Sequence, residues 1–161
     1  MLWTDYDRYS DLTKFITDPA KLRLTPAGEV CLSREEDYDI VADLGRRAGE
    51  FEALRPVLAR LAENLCTLDN TAQRFNRLVL KGGWRFPYDL AVVTLPGQEV
   101  VLEYWGREEN TTFRAAFAEA AEGGFRLVSF GTWGPDRIPP DWDKADSEPP
   151  PKPTLLDWLR R

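Results

Sequence analysis

The 161-residue chain contains no histidine. Histidine is the commonest general acid–base and the commonest zinc-ligating side chain. Its absence excludes every histidine-dependent catalytic triad. Carboxylate chemistry and magnesium sites stay open, because they need only Asp and Glu. Cysteine is nearly as scarce. Cys31 and Cys66 sit among apolar neighbours and form no CxxC pair, so two reduced core thiols are expected. No apolar run approaches the roughly 18–20 residues of a membrane helix. The first residues carry Asp5 and Asp7 where a secretion signal is basic, and no apolar segment follows. Export by that route is not expected, and a cytoplasmic location is. Glycine-rich phosphate loops and the GxSxG pattern are missing. Basic residues do not cluster, the longest runs being Arg46-Arg47 and Arg160-Arg161.

What is present is an ordinary globular composition, 43% hydrophobic and 30% charged, in a length that fits one domain with a sizeable core. The net charge is −6, and acids outnumber bases at both ends of the chain. Such a field disfavours nucleic acid, which wants a basic face. It favours a basic protein partner by electrostatic steering. Solubility alone is the plainer explanation. Nothing in the sequence specifies an oligomeric state.

The order of patterns predicts helices first and a sheet after. Tyr9, Leu12, Phe15 and Ile16 fall on one stripe, giving a helix over 4–16 that Asp18-Pro19 ends. Alternation on either side of Thr25-Pro26-Ala27-Gly28 predicts a small hairpin. Ser33 followed by Glu36 reads as a capping box, so a helix is expected from Arg34, with Tyr38, Val41, Leu44 and Ala48 on its apolar side. Phe51, Leu54, Leu58, Leu61, Leu65 and Leu68 make the cleanest helical face. Pro56 suits only the first turn of that helix or a kink. Asp69 reads as the cap of a further short helix carrying Phe75, Leu78 and Val79 and closed by Gly82-Gly83.

Residues 88–133 read as four short strands, 90–95, 100–105, 111–118 and 125–130, joined by turns and therefore antiparallel to their neighbours. The expected fold class is two-layer α+β, with N-terminal helices on a four-stranded antiparallel sheet. One domain over 1–133 is expected to precede an acidic, proline-rich tail over 134–161. The tail ends in Leu155, Leu156, Trp158 and Leu159, a short helix that either docks on the body or meets a partner.

Three groups of residues are candidates for function. On a helix, Glu36, Asp39 and Asp43 share a face and Glu35 lies one turn before Asp39. Such a face suits a cationic partner, although acids near a helix N-terminus are also favourable without one. Glu103, Trp105, Glu108 and Glu109 form a strand end running into a polar loop, able to line a pocket or simply to close a hairpin. Trp133 and Trp142 suit an interface, a peptide or sugar site, or the pinning of an irregular segment. No catalytic set, metal site or cofactor is expected among them.

The strands over 90–133, above all Glu103-Tyr104-Trp105-Gly106 and Phe130-Gly131-Thr132-Trp133, together with the acidic charge, resemble the small bacterial immunity proteins of polymorphic toxin systems. The resemblance covers about a third of the chain. It implies a tight, non-catalytic complex with a basic toxin and assigns no particular binding residue. The helices-then-sheet order is also similar to the cone-shaped (nuclear transport factor 2-like) α+β class. That resemblance implies a small-ligand or enzymatic pocket with Glu103 and Asp89 as its acids. An accessory subunit docking through its C-terminal end is a third expectation.

Overall fold

One long helix organises the fold, seen in a computed structural model that describes residues 16–34, 39–78, 89–106, 111–131 and 136–138. Helix α1 spans Phe51–Leu78 without interruption. The expected break at Asp69 does not occur. The three- and four-residue steps of the leucine stripe continue through Ala72 and Phe75, so the same face stays apolar for seven turns and burial carries the helix past the aspartate. Pro56 lies inside the second turn on an exposed position, and a 3₁₀ segment, Gly45–Glu50, leads into the helix.

The helix expected from Arg34 is a strand pair instead. β1 (Glu29–Arg34) runs through Ser33, and β2 (Asp39–Asp43) pairs with it antiparallel. Ile40 and Ala42 are buried while Asp39 and Asp43 are exposed, a two-residue period that β-branched Ile40 and Val41 support. Ser33 caps nothing: it is buried, and its hydroxyl has no hydrogen-bond partner among the described residues. The expected hairpin is present in small form. Leu24 bridges Val30 around a turn in which Gly28 adopts φ 82°, a conformation that favours glycine. Of the helix expected over 4–16 only Ile16 is among the described residues, and it bridges Ser33.

The four expected strands form as β3 (Asp89–Thr94), β4 (Glu99–Gly106), β5 (Thr111–Glu119) and β6 (Phe125–Gly131), antiparallel in sequence order. The sheet is wider than expected and mixed. β1 and β2 extend one edge, and a two-residue β7 (Asp136–Arg137) extends the other, in the order β1-β2-β3-β4-β5-β6-β7. β2 and β3 are parallel because α1 carries the chain back between them, a β-α-β crossover. The α-helix therefore lies between strands in sequence, and the class is α+β in two layers. No helix among the described residues is long and apolar enough to cross a membrane.

The core lies between α1 and the inner sheet face. Leu58, Leu61 and Leu65 meet Val30, Leu32, Ile40, Val93, Leu102 and Phe117, all buried. Phe75 stacks at a tilt on Phe130, with ring centroids 5.5 Å apart. Burying one such leucine contributes about 2 kcal/mol. The tail contributes β7 and a partly buried Ile138; residues 139–161, including Trp142 and the expected terminal helix, lie outside the described residues.

Candidate functional site

Strand directions sort the molecule into two ends. β2 and β3 start where β4 ends and β5 begins, and β6 returns to the same end. At the other end the connections are tight: Pro96 and Gly97 between β3 and β4, and the turn over 120–124 between β5 and β6. The connections that attach at the first end are 35–38, 79–88, 107–110 and 132–135. They hold Glu35, Glu36, Trp84, Glu108, Glu109 and Trp133, all outside the described residues.

Trp105 stands at this end, on the outer face of β4. It is 40% exposed and is the one exposed large hydrophobic side chain among the described residues. Its cross-strand neighbours are Asp89 on β3 and Thr112 on β5. Two residues back on the same face, Glu103 accepts a hydrogen bond from Arg114 Nε of β5 at 3.2 Å, as directly opposed residues can. Asp39 also lies at this end, two strands away, with Arg34 Nε 3.6 Å from its Oδ1.

The expected acidic helix face is thus overturned. Asp39 and Asp43 do share a face, but it is a strand face, and they sit toward opposite ends of β2. Asp39 is partly neutralised by Arg34, and Asp43 accepts a hydrogen bond from the Gly45 N–H at 2.9 Å. The structure brings Asp39, Glu103 and Trp105 to one region and separates Asp43 from them. Exposed pairs such as Asp39–Arg34 are worth about 0–1 kcal/mol and yield easily to a partner's charge.

Sequence reasoning missed the residue beneath this end. Asp69 is 0% exposed, in the middle of α1. The Tyr104 hydroxyl of β4 donates to Asp69 Oδ1 at 2.7 Å. Oδ2 has no partner among the described residues. Burial pushes the carboxyl up to about 7, against the hydrogen bonds of Tyr104 and Gln73, which favour the charged form. Burial, with Asp69 close by, also raises the Cys66 thiol one turn earlier. The signal in the sequence was an acid in phase with Leu65, Leu68 and Ala72 on an unbroken apolar stripe.

The opposite end holds a cleft of about 560 Å³ lined by Arg47, Leu54, Val57, Leu95, Glu99 and Glu119, among others. Two of its charged groups, Arg47 and Glu119, are engaged internally. Arg47 donates to the Leu95 carbonyl at 3.1 Å and to Gly97, and pairs with Glu50 at 3.0 Å. Arg60 pairs with Glu119 at 2.7 Å. The cleft does not touch Asp69. A cone-shaped pocket would need the inner sheet face open, and the leucines of α1 fill it. Glu103 lies on the outer face, so it cannot be the inner acid of such a pocket. No group of three or more acids and cysteines among the described residues is placed to hold a metal ion. No protein-family model matches this chain, nor does any curated protein or solved structure.

Proposed function

We propose that the protein is a non-catalytic binding protein whose basic protein partner docks on the outer sheet face around Trp105. The observation that carries this reading is the exposed indole beside the Glu103–Arg114 pair at the end of β4. Tryptophan and arginine are the side chains most enriched where binding energy concentrates. The chain's net charge of −6 and the acids Asp39 and Glu103 favour a cationic partner.

The resemblance to toxin-neutralising immunity proteins supplies the partner class: a basic toxin, met in the cytoplasm and blocked by occupation of its surface. The test is co-expression with the product of the adjacent gene, followed by calorimetry of the purified pair. A one-to-one complex whose affinity falls at least tenfold between about 50 and 500 mM salt supports the reading. A complex insensitive to salt, or catalytic turnover by this chain alone, contradicts it.

A further inference from the structure

Asp69 and Tyr104 do more than fill the core. The carboxyl is fully enclosed, its Oδ1 accepts a hydrogen bond from one hydroxyl across the helix–sheet boundary, and its Oδ2 has no hydrogen-bond partner among the described residues. A buried carboxylate with no ion pair among the described residues is costly, and the neutral acid costs less. We propose that Asp69 and Tyr104 form a proton-controlled latch that sets how tightly the C-terminal half of α1 is held against β4.

Among the described residues the polar and titratable groups facing Asp69 are few. From α1 itself they are the Cys66 thiol and the Gln73 side chain; from β4 it is the Tyr104 hydroxyl. Leu90 on β3 and Phe113 on β5, the cross-strand neighbours of Tyr104, are apolar. No ion pair reaches Asp69 among the described residues. Protonation places one hydrogen on Oδ2, leaves the Tyr104 hydroxyl donating to Oδ1, and removes the buried charge. Loss of the proton restores the charge and favours opening of the interface to water. The carboxyl's position near neutrality places this exchange within the physiological range. In a chain without histidine, it is a titration that ordinary side chains do not supply.

The latch sits under the end that carries Trp105, because Tyr104 and Trp105 are consecutive on β4. Hydrogen exchange tests it without a partner. Protection factors of the amides over 66–78 should fall about tenfold between pH 6 and pH 8 in the unmodified protein, and stay level in Asp69→Asn, which mimics the neutral acid. Carboxyl carbon resonances, assigned by the signal lost in Asp69→Asn, should show Asp69 titrating near neutrality. Should Asp69→Asn not fold, Tyr104→Phe supplies the second test: removing the donor should move the midpoint upward. Titration of Asp69 in the ordinary carboxylate range, or protection over 66–78 that does not change with pH, overturns the latch.

Discussion

Tyr104 and Trp105 are consecutive on β4 and serve opposite faces of the sheet: the first is 1% exposed and bonded to Asp69, the second 40% exposed and turned to solvent. The two-residue period of a strand imposes this division. It predicts a sharp contrast between neighbouring substitutions. Tyr104→Phe leaves Asp69 Oδ1 without its donor and should cost about 1–3 kcal/mol of stability. Trp105→Ala strips no buried polar group of its partner and should cost less, about 1 kcal/mol or below. Urea denaturation of both variants at one pH measures the contrast.

Stability should depend on pH through Asp69. Its carboxyl is raised from 3.8 to about 7 in the fold, so between those values the folded protein binds a proton that the unfolded chain has released. The contribution is complete below about pH 4, declines as pH rises through 7 and is lost above it. Its full size is on the order of 2–4 kcal/mol. Asp69→Asn should therefore match the unmodified protein near pH 4 and exceed it in stability at pH 8. Denaturation midpoints at pH 4, 6 and 8 provide the comparison.

The cysteines should react slowly. Cys66 is partly buried, and both burial and the neighbouring Asp69 push its thiol above the usual range, which lowers the thiolate fraction. At pH 8 alkylation of Cys66 in the folded protein should run at least tenfold slower than in urea. Peptide mapping after timed iodoacetamide treatment reads the rate at each cysteine. Equal rates in the two states would place the thiol outside the environment described.

The strands over 88–133 were legible because their alternation is interrupted only by turn residues, and the long helix because its apolar stripe keeps one phase. The failures share a cause: short polar signals were given local meanings that burial overrode. Ser33 with Glu36 matches a capping box, yet Ser33 is buried in β1, because Val30, Leu32, Ile40 and Ala42 gain more from a sheet than the segment gains from a cap. Asp69 resembles a cap for the same local reason, while the stripe on either side of it does not shift. The parallel β2–β3 contact was hidden because it joins residues just over fifty positions apart, such as Ala42 and Val93, a separation that no local period reports. Of the candidate site, Glu103 and Trp105 were found where the strand meets its loop. The grouping of Asp39 with them depends on strand order, which only the fold reveals.

Docking of a partner around Trp105 can be tested directly. Its most direct measurement is the dissociation constant of the complex for Trp105→Ala and Glu103→Lys, with Glu122→Lys in the exposed turn at the far end as a control. Each of the first two should lose at least tenfold in affinity, as for central interface residues, and the control should change by no more than about twofold. Unchanged affinity in Trp105→Ala and Glu103→Lys, or an equal loss in Glu122→Lys, would contradict docking around Trp105.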